Sequence, residues 1–231
     1  KNCQALFYLF LTWERVVTLP DDMPNNESLF IPFLRRLSYG TIEIETDISK
    51  VDFDKAIDTE KLPKNMSRQA FHEAINTFFS HRWLWRKIIE HEELLTISEE
   101  GIKSLHADFM RGVYDNAGFY ATTIRVMGKL ESLQTTLPED IPEEMNRWVY
   151  KCANAKTLEE IAKAHAYFIA IHPFGDGNVR VSRALVMAQC LNARLMPPVF
   201  DGKNRAIYYL LRGHGACYAT WPIYTADSFV S

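Results

Sequence analysis

One run constrains this 231-residue chain more than any other: Ile171-His172-Pro173-Phe174-Gly175-Asp176-Gly177-Asn178-Val179-Arg180, continued by Val181-Ser182-Arg183. Upstream of it, Leu158, Ile161, His165, Phe168 and His172 recur at spacings of three and four, which places them on one face of a helix over about Thr157 to Ile171. Pro173 disfavours helical backbone at His172, so that helix must stop there. Gly175, Gly177 and Asn178 tolerate the backbone angles of a tight turn, and a second helix starts near Asn178 and runs to about Arg194, ahead of Pro197-Pro198. Two helices joined by a glycine-rich turn point to a mainly α fold.

The same run carries chemistry. A turn of this kind aims successive N–H groups into one concavity, and the free N–H groups and dipole of the following helix also favour negative charge. Arg180 and Arg183, three apart, add two guanidinium forks at that end. Asp176 sits among these cationic groups, where a divalent cation, Mg²⁺ above all, would reconcile its carboxylate with a phosphate. His172 has a side chain that titrates near neutrality and can take a proton from an attacking hydroxyl. Base, metal carboxylate, anion cradle and arginines together describe phosphoryl or nucleotidyl transfer.

The run resembles the signature of the Fic family of protein adenylylating enzymes, H-P-F-x-(D/E)-G-N-G-R-x-x-R. His172, Pro173, Phe174, Asp176, Gly177, Asn178, Arg180 and Arg183 match it, and Val179 takes the place of the second signature glycine. The similarity extends over roughly residues 94–212. It includes Thr96 to His106 as the first core helix, Gly118 to Gly128 as the substrate-binding hairpin and Ala162 to Phe168 as the helix leading into the signature. Arg205 to Leu210 falls where nucleotide-binding residues lie, Tyr208 among them.

The resemblance implies a Fic-type helical bundle with a small β-hairpin flap over 94–231, preceded by a mostly helical extension over 1–93. It implies transfer of AMP from Mg²⁺-bound ATP to a Ser, Thr or Tyr hydroxyl of a protein target. His172 would be the base and Asp176 the Mg²⁺ ligand. Phe174, Gly177, Asn178, Val179, Arg180, Arg183 and Tyr208 would hold the nucleotide. Thr122, Thr123, Ile124, Arg125 and Val126 would form the flap that grips the target by strand addition.

Valine at 179 is expected to narrow the cradle, because a branched side chain penalises positive φ. In a branch of the superfamily a lysine there turns the nucleotide and gives phosphoryl transfer. A phosphotransferase and a catalytically impaired protein-binding module are therefore the alternatives. Ala121 replaces an arginine common in the family beside the hairpin. Thr96 to Gly101 formally matches the family's inhibitory S/T-x-x-x-E-G motif. It overlies the first core helix, where Thr96 and Glu99 read as a capping box, so inhibition falls to a separate protein if it occurs.

Net charge is −3 and pI about 6.2, with no basic surface implied for nucleic acid or an anionic membrane. Ala5 to Trp13 is apolar but far short of a bilayer span. Cys3, Cys152, Cys190 and Cys217 form no C-x-x-C pair, and Cys152 and Cys190 read as reduced core residues, which fits a cytoplasmic protein or an effector delivered into a host cytosol.

Elsewhere, residues 4–18 read as a buried helix, Asp21 to Glu27 as a polar turn and Ser28 to Leu37 as a short helix. Thr41 to Glu45 alternates like a strand, and Asp47 to Lys64 reads as irregular. Ser67 caps a helix through Phe71, Ile75, Phe78 and Phe79 to Ile88, its aromatic crowding a sign of core. Thr122 to Met127 is β-branched enough for a strand, Glu143 to Cys152 forms a helix, and Ala206 to Arg212 a short one. His106, His165 and His214 read as structural histidines.

Overall fold

Every residue from Asn178 to Leu191 is buried, so one helix runs through the middle of the molecule and the others are arranged around it. A computed structural model describes residues 18–200, apart from 22, 24, 25, 44, 92 and 126–134. Among the described residues there are seven α-helices: α1 (Glu27–Glu43), α2 (Lys50–Thr59), α3 (Arg68–Trp85), α4 (Glu99–Met110), α5 (Ile141–Cys152), α6 (Leu158–Ile171) and α7 (Asn178–Asn192). A π-helical turn, Arg86–Glu90, extends α3.

Local chemistry sets most boundaries. Ser67 Oγ accepts the Ala70 N–H at the head of α3, as the sequence indicated. Thr157 and Glu160 form a reciprocal capping box at the head of α6. At α4 the cap is Ser98, whose Oγ accepts the Gly101 N–H, and not Thr96; the capping box expected from Thr96 and Glu99 is replaced by this bond. Glu99 instead pairs with Lys103 one turn on.

Two expectations fail nearby. Thr41 to Glu45 is not a strand: α1 continues to Glu43, because Leu34, Leu37, Thr41 and Ile42 make a helical stripe that is buried as a unit. The segment expected to be irregular holds α2, capped by Ser49 and closed by Glu60 in the left-handed conformation, with Phe53, Ala56 and Ile57 buried. The helices expected over residues 4–18 and 206–212 lie outside the described residues, except for Thr18, which forms an isolated antiparallel bridge with Leu195.

Packing follows those stripes. The centre of α7 touches α6, α4, α3 and the end of α1, while α5 packs on α6. Trp148 of α5 is buried and donates its indole N–H to the Ala164 carbonyl. Gln189 of α7 donates to the Cys152 carbonyl, and Asn192 exchanges two bonds with the backbone of Leu95. Trp85 is buried against Phe30, but Trp83, expected in the core, is half exposed with Lys87 over its ring. Cys152 and Cys190 are free, and burial pushes both thiols up to about 12. No helix among the described residues is long and apolar enough to cross a membrane.

His81 joins three of these helices. It is buried in α3, bonded at Nδ1 to Ser38 Oγ of α1 (2.9 Å) and edge-on to Phe109 of α4. Burial, and secondarily the nearby Arg183 charge, hold its pKa down to about 3 from 6.5. The unfolded chain therefore binds more protons than the folded one across that interval, and stability rises with pH through it. Unfolding free energy is expected to drop as pH is lowered from about 6.5 toward 4. His81→Gln, which keeps a partner for Ser38, is expected to flatten that slope in urea titrations run at several pH values.

Candidate active site

The site forms where α6 ends and α7 begins. His172 is the C-cap of α6, with φ 54° and ψ 57° and its N–H bonded to the Phe168 carbonyl at 3.0 Å. That left-handed conformation costs a residue with a Cβ roughly 1–2 kcal/mol, and it aims the imidazole away from the path a helix would have given it. Pro173 ends the helix at this point, as the sequence indicated, and the chain turns into the loop.

Asn178 holds the loop closed. Its side-chain oxygen accepts the Phe174 N–H at 2.9 Å and its nitrogen donates to the Phe174 carbonyl at 2.7 Å. The side-chain amide is thus engaged on both sides by the loop, which leaves the backbone N–H of Asn178 as the group it presents at the head of α7. Gly177 has φ 73° and is the N-cap of α7 without any side-chain cap. A Cβ there would lie 2.5 Å from Met110 Sδ, and one on Gly175 would lie 2.1 Å from the Tyr114 hydroxyl. Only glycine fits either position without rearrangement. The first N–H groups of α7 have no intrahelical partner, and that end of the helix favours negative charge.

Val179 is helical. It belongs to the first turn of α7, it is not among the positive-φ residues, and its side chain is buried. The expected backbone restriction therefore does not arise, because valine occupies a helical position that any L-residue adopts.

The two arginines are buried and held from outside the loop. Arg180 Nη1 lies 3.2 Å from Glu73 Oε1 of α3 and its Nη2 lies 3.6 Å from Asp176 Oδ1. Glu73 also accepts Thr46 Oγ1 at 2.6 Å and Gln69 Nε2 at 3.3 Å. Arg183 donates from Nη1 to the Thr41 carbonyl near the end of α1 at 2.8 Å and lies over the Phe200 ring. Neither Glu73 nor Thr41 was singled out in the sequence. Both lie in the extension before residue 94, and no local pattern signals a contact across more than a hundred residues. Asp176, by contrast, is half exposed and accepts the Gly177 N–H at 2.6 Å.

Aromatic and polar contacts join this loop to the chain after α4. His106 stacks on Phe174 at 3.8 Å between centroids and 3° between planes. Its Nε2 donates to the Asp176 carbonyl at 3.0 Å, while its Nδ1 accepts the Gly118 N–H at 2.8 Å. Burial holds its pKa down to about 4, opposed by the bond to Asp176. The Ala121 N–H donates to the Pro173 carbonyl at 2.9 Å.

Of the expected flap, Thr122, Thr123, Ile124 and Arg125 are described and do not form a strand, while Val126 and Met127 lie outside the described residues. Ile124 is exposed, and Arg125 is clamped by the Thr123 and Thr136 carbonyls. Thr135 donates to the Arg125 carbonyl from both its Oγ1 and its N–H. Tyr208 lies outside the described residues. His165, read as structural, is buried and bonded to Ser182 at 2.6 Å.

Solved structures share this fold. A Fic-domain signalling protein of Bacteroides thetaiotaomicron superposes with a TM-score of 0.72 at 19% identity, over 94% of this chain and 83% of the other. Residues 134–508 of Fic-1 from C. elegans give 0.70 at 22%, over 94% and 65%. These likenesses establish the fold. The Fic/DOC family model matches residues 96–190, which contain α4 to most of α7 and the whole His172 to Arg183 signature. The chain carries a Fic/DOC-family domain. A probable protein adenylyltransferase of Aquifex aeolicus is 25% identical to this chain over 170 residues, covering 71% of the chain. The chain spans about half the length (52%) of that relative.

Within the Fic domain, the left-handed backbone at His172 can be tested apart from chemistry. Glycine adopts that conformation freely and alanine does not. His172→Gly is expected to be more stable than His172→Ala by about 1 kcal/mol in denaturant unfolding, although glycine is ordinarily the weaker residue.

Proposed function

We propose that this Fic domain transfers AMP from ATP to a hydroxyl side chain of a protein. The observation that carries the reading is His172 locked in a left-handed turn where the uncapped N-terminus of α7 opens, with the Asp176 carboxylate at that same end. In the reaction the target hydroxyl oxygen attacks the α-phosphorus of ATP. A new P–O bond forms, the bond to the bridging oxygen of pyrophosphate breaks, and pyrophosphate leaves. His172 accepts the hydroxyl proton. The backbone N–H groups of Asn178, Val179 and Arg180 face phosphate oxygens, where negative charge is favoured.

Mg²⁺ suits the donor set. Among the described residues no group of three His, Cys, Asp or Glu could hold a resident metal, whereas Asp176 offers one accessible hard-oxygen ligand. One or two carboxylates plus substrate phosphates is the usual arrangement for this ion. Bound there with the nucleotide, it would neutralise charge on the departing pyrophosphate. Phosphate contact by Arg180 requires its fork to be shared with Glu73 or taken from it. Contact by Arg183 requires the same with respect to Thr41.

The decisive experiment supplies purified protein and a cell lysate with ATP labelled at the α or the γ phosphate. Label is expected on protein from α-labelled ATP only, and His172→Ala is expected to reduce it by about 10²–10⁴-fold with ATP affinity little changed. Label from γ-labelled ATP alone would make the domain a phosphotransferase, and none from either would make it a binding module. Since Val179 is helical, Val179→Gly is expected to change the transfer rate less than about threefold while weakening α7 by about 1 kcal/mol.

A further inference from the structure

His106 lies outside the signature, yet its ring touches the turn after α4, the signature loop and the aromatic core together. Gly118 supplies an N–H and Asp176 supplies a carbonyl, and neither can exchange roles. The ring must therefore be the tautomer with its proton on Nε2 and an acceptor at Nδ1. Stacking on Phe174 fixes the ring plane, so both bonds are aimed by a contact that does not depend on them.

The carbonyl it holds belongs to the peptide plane shared by Asp176 and Gly177. In a planar trans peptide the C=O and N–H point in opposite directions, so fixing one fixes the other. The N–H of that plane is the donor to Asp176 Oδ1 at 2.6 Å. Gly177, at φ 73°, is the residue type that would otherwise let this peptide turn over.

We infer that His106 is a positioning residue that orients the Asp176 carboxylate by locking the 176–177 peptide, and that it ties this orientation to the turn at Gly118. The carboxylate, the divalent ion it would bind and the loop leading toward the target are thereby set by one ring. The activity part of this inference rests on the transfer reading above; the conformational part does not.

Three variants separate the contributions. His106→Phe keeps the stack and removes both bonds. His106→Gln presents an oxygen and a nitrogen at about the spacing of the ring nitrogens. His106→Asn reaches Gly118 but falls short of Asp176. Each is assayed for thermal midpoint, for the Mg²⁺ dependence of AMP transfer, and for amide hydrogen exchange at Gly118 and Gly177.

His106→Phe and His106→Asn are expected to raise the Mg²⁺ midpoint roughly tenfold or more, the size of effect seen when a partner behind a metal ligand is lost. His106→Gln should remain within about threefold of wild type. A variant that is merely less stable would lose active protein without moving that midpoint. Gly177 should exchange faster in the Phe and Asn variants, and Gly118 in the Phe variant alone. If His106→Phe does not fold, the Asn and Gln pair makes the same comparison.

Wild-type Mg²⁺ dependence in folded His106→Asn would overturn the inference, as would His106→Gln behaving no better than His106→Asn. Should the wild type transfer nothing, the transfer reading fails by itself and exchange decides the rest. Faster exchange at Gly177 in His106→Asn, restored in His106→Gln, would uphold the locked peptide, and unchanged exchange would overturn it.

Discussion

The structure depends on how two guanidinium groups are accommodated at the head of its central helix. Arg180 and Arg183 are 5% and 2% exposed, in a helix buried along nearly its whole length. A buried cation left unpartnered is costly by several kcal/mol, so α7 can occupy the centre only if other elements bring acceptors to it. Glu73 arrives on α3 and the Thr41 carbonyl near the end of α1. The path of both helices past the Fic domain follows from that requirement as much as from their apolar stripes. Glu73 is in turn held by Thr46 and Gln69, so the ion pair is anchored on both sides.

A second layer of order comes from aromatic rings. Phe174 is buried between His106, Tyr120 and Phe168, and its peptide groups are clamped by Asn178. A loop with two glycines would be expected to sample many conformations. Here Tyr114 and Met110 occupy the space a side chain would need, and the glycines are there to admit those neighbours. Loop freedom and neighbour packing compensate each other, which leaves the backbone amides at the head of α7 presented in one arrangement.

What was legible in the sequence divides along a physical line. Features fixed by neighbours in the chain were readable: the Ser67 cap, the helix leading into His172, the stop at Pro173 and the start at Asn178. So was the composition of the signature, because its residue types have few other uses in that order. Features fixed by distant partners were not. The alternation in Thr41 to Glu45 has the period of a strand, but tertiary burial of Thr41 and Ile42 makes it helix. Val179 was judged by the glycine it replaces, while the structure places it in a helical turn where that comparison has no backbone consequence. His106 was read as structural; its geometry was hidden because the carbonyl it meets is seventy residues away.

The left-handed backbone at His172 carries an evolutionary consequence. Folding alone would reward glycine at that position, since glycine removes the strain. Random drift under selection for stability should therefore erase the imidazole within this family of sequences. On the transfer reading proposed above, a histidine that persists there is maintained against the thermodynamic gradient, and its replacement by glycine in some lineage would mark the moment when that chemistry ceased to matter.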